Sequence, residues 1–316
     1  MSICLPSDIR LRSATEEDLG SVLHIRQTLG KTDLTIERLQ SSWQSLNLEK
    51  QTQVAIKQDG QLIGYAELLQ HRAAVFLPRV WVRADEQGRG IGTVLLQQLD
   101  VQARLLTSER PCKLLAQPWR SDITAQRLLE KAGYALLSTF QRMELQMTEP
   151  PPTPATIPGI EIRPIVLDRD ELAVYEADEE AFLDERGKEP RTLEQWRRRF
   201  QMHTDHFDPT LWWVAWDGLE IAGTTMNEAA NGVGEIMHLG VRRPWRKRGL
   251  GMALLLYALN EFYQRNIHIV RLNVDAQSLT NAHLLYERAG FRTVDAYMNY
   301  CRAHTDPYDC SYHAEC

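Results

Sequence analysis

Val80-Trp81-Val82-Arg83-Ala84-Asp85-Glu86-Gln87-Gly88-Arg89-Gly90-Ile91-Gly92 has a counterpart 159 positions on, Leu239-Gly240-Val241-Arg242-Arg243-Pro244-Trp245-Arg246-Lys247-Arg248-Gly249-Leu250-Gly251. Both stretches fit Q/R-x-x-G-x-G. Each follows an apolar strand pattern and precedes an apolar helix pattern. One such glycine pattern is weak evidence of anything. Two copies in matched context point to an internal repeat and to a shared chemistry. That chemistry is anion binding. Glycine lets the backbone approach a ligand with no Cβ in the way. The helix that follows opens with free N–H groups and the positive end of its dipole, a ready site for a phosphate or pyrophosphate. Arg246, Lys247 and Arg248 add positive charge in the second copy; Gln87 and Arg89 add less in the first.

Working outward, each half repeats one plan. A first strand (Ile9 to Arg12; Ile160 to Arg163) leads into an acidic helix start. A hairpin follows, turning at Asp59-Gly60 and Asp217-Gly218. After the glycine turn the spacing predicts helices over Thr93 to Leu105 and Met252 to Tyr263. Strands are expected at Cys112 to Ala116 and His268 to Val274. A short helix then ends at Gly133 or Gly290, where a C-cap glycine belongs. The expectation is an α/β fold with a mixed sheet, built twice. Thr148 to Gly159, TEPPPTPATIPG, is too rich in proline for helix and reads as a stiff linker. The expected division is 1–147, a 148–159 linker, 160–302 and a 303–316 tail.

The length of 316 residues suits two ordinary domains, and 43% hydrophobic with 25% charged residues is a globular composition. Net charge is +1 over residues 1–150 and −7 over the rest, so neither half has the basic footprint of a nucleic-acid binder. No apolar run approaches the roughly 20 residues of a membrane span. The N-terminus lacks signal-peptide anatomy, and five scattered cysteines make no disulfide framework, so the expected location is cytoplasmic. Cys301, His304, Cys310, His313 and Cys316 are metal-ligand types, but zinc sites pair two such clusters at longer separation. No metal is expected.

These residues, with Asn281-Ala282-His283-Leu284-Leu285-Tyr286-Glu287-Arg288-Ala289-Gly290-Phe291, resemble the GNAT superfamily of acyl-CoA-dependent N-acyltransferases, in tandem. The resemblance covers nearly the whole chain outside the linker and tail. It implies that the turn binds the pyrophosphate of coenzyme A, with acetyl-CoA as co-substrate. The implied contacts are Leu239, Gly240, Val241, Arg246 to Met252 and Asn281 in the second half. In the first they are Val80, Trp81, Val82 and Gly88 to Gly92. The layout is also similar to tandem members whose catalytic second half carries a G-E-x-x-x-x-G-V strand, matched by Gly234 to Val241.

Acyl transfer to an amine needs a base, an oxyanion donor and an acid for the leaving thiolate. Glu235 is the candidate base and Val241 N–H the oxyanion donor. Tyr286 is the candidate acid; Asn281 caps its helix or bonds the pantetheine amides. His238 is the rival base, with an unperturbed pKa close to neutrality. A regular strand points it away from Glu235; a bulge brings both to one face. The first half has Phe76, Arg79, Thr124 and Leu129 where the second has Glu235, His238, Asn281 and Tyr286. It is therefore expected to bind coenzyme A, or to have once done so, and to support the second. Glu176, Asp178, Glu179, Glu180, Asp184 and Glu185 read as a solvated helix face or as the wall of a groove for an amine-rich acceptor. The leading function is N-acetylation of a small-molecule amine. The alternatives are a non-catalytic acyl-CoA-binding module and a protein or peptide N-acetyltransferase. Internal duplication makes a monomer a plausible state.

Overall fold

The computed structural model describes residues 5–30, 34–72, 74–108, 110–183, 190–200, 202, 207–277 and 282–304. The chain forms two compact units, Met1–Leu137 with Met298–Ser311 and Ser138–Tyr297 with Tyr312–Cys316.

In the first unit the strands are β1 (Ile9–Arg12), β2 (Thr52–Lys57), β3 (Leu62–Arg72), β4 (Val75–Val82) and β5 (Cys112–Ala116). They lie side by side in that order, antiparallel up to β4, with β4 and β5 parallel. Helices α1 (Leu19–Thr28), α2 (Ile36–Gln44) and α3 (Leu48–Gln51) precede β2. Helix α4 (Ile91–Leu106) and helix α5 (Ile123–Lys131) flank β5. Leu95, Leu96 and Leu99 of α4 are buried against Ile63, Ala66 and Phe76 of the sheet.

The second unit repeats this plan. Its strands are β7 (Ile160–Pro164), β8 (Trp213–Asp217), β9 (Glu220–Ala230), β10 (Val233–Val241) and β11 (Ile269–Asp275). The first four pairings are antiparallel except β10 with β11, which is parallel. Helices α6 (Leu167–Ala181) and α7 (Leu193–Arg199) precede β8, α8 (Leu250–Gln264) follows β10, and α9 (Ala282–Arg288) follows β11. The mixed sheet, the duplication and the helices after each glycine turn match the expectation. Both helices run one to two residues longer than the periodicity suggested at each end.

The compact units depart from the expected boundaries. β6 (Ala135–Gln146), the last strand of the first sequence half, aligns Phe140–Gln146 antiparallel to Ile269–Asp275 of β11. β12 (Arg292–His304), the last strand of the second half, aligns Tyr300–His304 with Cys112–Ala116 of β5. Each unit is thus completed by the other half's final strand, and the linker belongs to the second unit. Backbone hydrogen bonds decide this, since β5 and β11 each need an antiparallel neighbour and either copy's strand satisfies them. The linker has no helix or strand, as its prolines require. Its Ile157 packs with Trp245, Leu250 and Leu254.

One close approach positions the site. A Cβ on Gly223 of β9 would lie 2.7 Å from the Gly240 carbonyl oxygen, a backbone atom with no freedom to retreat. Gly223→Ala is therefore expected to destabilise the protein by about 1–3 kcal/mol. A Cβ on Gly64, the matching residue of the first half, would meet side chains alone, Leu95 at 3.0 Å, Ile91 at 3.3 Å and Ala55 at 3.4 Å, and Gly64→Ala should cost less. Urea midpoints of the two variants, ranked the other way round, would contradict this packing.

Candidate active site

The duplicated turns have the same backbone. Gly90 caps α4 at φ +82°, ψ −3°, and Gly249 caps α8 at φ +83°, ψ −2°, both left-handed. Two residues earlier, Gly88 and Lys247 also have positive φ, +80° and +62°. The first intrahelical bonds are Val94 N–H to Gly90 and Ala253 N–H to Gly249. The N–H groups of Leu250, Gly251 and Met252 therefore precede the helix ladder and are open to an anion. A pyrophosphate fits this cradle.

Charge separates the two copies. Arg89 donates to both carboxylate oxygens of Asp8, at 3.0 and 2.9 Å, and to Glu86, which also pairs with Lys57. Hydrogen bonding from Arg89 holds the Asp8 carboxyl below its usual range. In the second copy Arg246 donates to the carbonyls of Val241 and Ala181, both at 2.9 Å. Arg248 donates to Pro158 O at 3.4 Å. Among the described residues Lys247 and Arg248 meet no carboxylate, so the second turn keeps a cationic rim that the first has neutralised.

The strand before the turn differs more sharply. β10 pairs with β9 through Glu235↔Glu228 and Ile236↔Asn227, then resumes at His238↔Met226. Met237 is the extra residue of a β-bulge, which re-aims the side chains beyond it. Gly234 faces Phe262 of α8, whereas Gly240, an even number of residues on, faces Ala181 and Phe182 beside α6. Leu239 and Val241 instead approach Gly251 of α8. The bulge thus sets Glu235 and His238 on the same sheet face. Register with β11 ends at Ile236↔Leu272, so β10 parts from its parallel neighbour at the bulge. In the first unit β4 likewise parts from β5 after Phe76↔Leu114, but the bulge has no counterpart there. β4 pairs with β3 without a shift from Leu77 to Val82, and Pro78, which has no N–H to offer, stands where Met237 stands.

Glu235 is held by Arg142 of β6. One guanidinium nitrogen lies 3.1 Å from Oε1 and another 3.1 Å from Oε2. Asn273 of β11 donates to Oε1 at 3.5 Å. Arg142 lies 93 positions before Glu235, on a strand that the sequence assigns to the other half. No spacing could have nominated it. Across the ladder Glu228 faces Glu235 directly; burial, and then the charge of Glu235, push its carboxyl above the ordinary value.

His238 has a different set of partners. Its Nε2 accepts from Arg199 at 3.2 and 3.1 Å. Arginine only donates, so the ring proton sits on Nδ1, 3.1 Å from Asp178. Asp178 also accepts from Trp196 Nε1 at 2.9 Å. Burial drives the His238 pKa down to about 4, outweighing the opposite pull of Asp178, and Arg199 adds to the lowering. The lone pair a base would use is already engaged. His238 pins α6 and α7 to the bulged strand. Asp178 and Glu179 are likewise buried and committed, Glu179 to Arg191 at 3.2 Å, which overturns the solvated-face reading for both. Glu180 pairs with Arg242 and Glu176 is exposed; Asp184, Glu185, His203 and His206 lie outside the described residues.

A pH dependence of stability follows from His238. Between about pH 6.5 and about pH 4 the unfolded chain takes up a proton on this ring that the folded chain refuses. Stability is then full above pH 6.5 and falls by roughly 3 kcal/mol across that window. Urea midpoints at pH 7 and pH 4.5 should show a weaker drop in His238→Gln than in the wild type. Equal drops would refute the assignment.

Tyr286 lies on α9, buried, with its ring edge-on to Phe291 at 5.9 Å. Its neighbour Leu285 would touch a Cβ on Gly251 at 3.6 Å, so α9 stands beside the turn. Asn281 lies outside the described residues. In the first unit Phe76 and Leu129 are buried core, and Arg79 pairs with buried Glu67 at 3.6 Å. Among the described residues no group of three His, Cys, Asp or Glu is placed to hold a metal; Cys310, His313 and Cys316 are not among them. No described helix is long and apolar enough to cross a membrane.

Comparison with known proteins finds the acetyltransferase (GNAT) family profile over residues 172–291 and an acetyltransferase (GNAT) domain profile over 49–136. A mycothiol acetyltransferase of Thermobispora bispora is 34% identical over 223 residues, covering 66% of this chain and 70% of its own. One from Streptomyces scabiei is 28% identical over 255 residues, covering 76% of each chain. The crystal structure of a GCN5-related N-acetyltransferase from Sphaerobacter thermophilus superposes with a TM-score of 0.79 at 31% identity, over 95% of this chain and 97% of that one.

Proposed function

Because the chain belongs to the GNAT acetyltransferase family, we propose that its second half transfers an acetyl group from acetyl-CoA to the primary amine of a small molecule by direct attack. The observation that carries this reading is the bulged strand with Glu235, present before the second glycine turn and replaced by regular pairing and Pro78 before the first. The relatives named mycothiol acetyltransferases support a small-molecule acceptor.

Acetyl-CoA would supply the activated acetyl thioester, its pyrophosphate held by the N–H groups of Leu250 to Met252 with Lys247 and Arg248 at the rim. Gly249 keeps that cradle open. β10 beyond Ile236 has backbone groups with no register partner on β11, which suit an extended amide chain. Glu235 takes the proton of the acceptor amine. Val241 N–H donates to the oxygen on which negative charge builds, and Tyr286 gives its proton to the departing thiolate. The first half keeps the turn without this machinery and supports the second.

A thiol-release assay with acetyl-CoA over cysteinyl aminosugars, aminoglycosides, polyamines and peptides tests the reading. Turnover with at least one small amine is expected. Tight acetyl-CoA binding with no turnover on any amine would favour a binding module, and turnover confined to peptides would move the acceptor to proteins.

A further inference from the structure

Glu228 and Glu235 stand directly opposite each other on one face of the sheet. Two close carboxylates compete for one proton, and which of them stays charged depends on nearby cations. The charged groups around the pair are few. From β6 come Arg142 and Glu144, and from β11 comes Arg271, already bound to Glu144 at 2.8 Å. On α6 and α7, Asp178 and Arg199 are spent on His238. Among the described residues only Arg142 is bonded to a member of the pair as a cation. It places a guanidinium nitrogen 3.1 Å from each oxygen of Glu235, while Asn273 bridges the two by accepting from Arg142 at 3.4 Å and donating to Glu235. Among the described residues Glu228 has no cationic partner.

We propose that Arg142 is a positioning residue that aims the Glu235 carboxylate and makes Glu235, rather than Glu228, the ionised member of the pair. Glu228 then carries the proton when the pair holds one. A strand from the other sequence half thereby sets the charge state of the base. This rests on the reading of Glu235 as base, and the test separates the two.

The acidic limb of kcat/KM is compared among wild type, Arg142→Met, Arg142→Lys and the double variant Arg142→Met with Glu228→Gln. Loss of the guanidinium should move the limb to higher pH by about one unit, a roughly tenfold lower kcat/KM on the limb, with the high-pH plateau largely kept. Arg142→Lys should move it less. Removing the competing carboxylate in the double variant should move it back. A readout without turnover is carbon-13 titration of the glutamate carboxyls, the Glu235 signal being the one lost in Glu235→Gln. That signal should titrate higher in Arg142→Met. An unmoved limb and signal in Arg142→Met, while Glu235→Gln is impaired, would overturn the role of Arg142 and leave the base standing. Wild-type kcat in Glu235→Gln would instead remove the base itself. If Arg142→Met fails to fold, Arg142→Lys and wild type with the same limb and signal would overturn the inference.

Discussion

Glu235→Gln is expected to lower kcat by roughly 10²- to 10⁴-fold, the span of a lost general base, with acetyl-CoA affinity within about twofold of wild type. The change removes a proton acceptor and little else. Glutamine keeps the length of the side chain, and its carbonyl still accepts from Arg142, so β6 should remain docked on β11. The turn around Gly249 is untouched. The loss should therefore fall on the chemical step, and KM for the amine should change far less than kcat. Tyr286→Phe should cost less, because a thiol near its ordinary pKa of about 8.5 is already a serviceable leaving group. Steady-state kinetics with calorimetry of acetyl-CoA binding decide the matter. Wild-type kcat in Glu235→Gln would end the case for this carboxylate.

Gly249→Val should have the second-largest effect, this time on binding. Gly249 sits at φ +83° at the head of α8, where any L side chain is strained by about 1–2 kcal/mol and a β-branched one by more. Space is not the obstacle, since an added Cβ would meet only Ile157 at 3.7 Å. The turn must instead change shape or carry valine methyls over the N–H groups of Leu250 and Gly251. Acetyl-CoA affinity should fall at least about tenfold, or ~1.4 kcal/mol. Gly90→Val applies the same backbone insult at φ +82° in the first half. It should lower stability comparably while leaving acetyl transfer within a few-fold of wild type. Equal binding by Gly249→Val and wild type would remove the turn from the cofactor site. Equal loss of turnover in both variants would contradict the division of labour between the halves.

Much of the architecture is legible in the chain. The repeat, the α/β order and the two glycine turns follow from local rules, because a left-handed glycine at a helix start and the periods of strand and helix are written in neighbouring residues. That the first half has Phe76 and Leu129 in place of the proposed base and acid is legible too, once the copies are aligned at Gly90 with Gly249 and at Gly133 with Gly290. Glu235 and Tyr286 can be nominated the same way, and the structure places Glu235 on the bulged strand and Tyr286 on the helix beside the turn.

The tertiary structure decided what depends on partners distant in sequence. Our proposal of Glu235 over His238 as base rests on Arg199, Asp178 and burial, which together leave the His238 ring neutral with its lone pair engaged. The acidic run on α6 looked like a solvated face until Trp196 and Arg191 were seen to hold Asp178 and Glu179 in the interior. The exchange of β6 and β12 was invisible to periodicity, since two copies of one plan offer each sheet two equivalent closing strands. Strand pairing, a matter of hydrogen bonds between segments over a hundred residues apart, selects between them. It is that pairing which delivers Arg142 to Glu235.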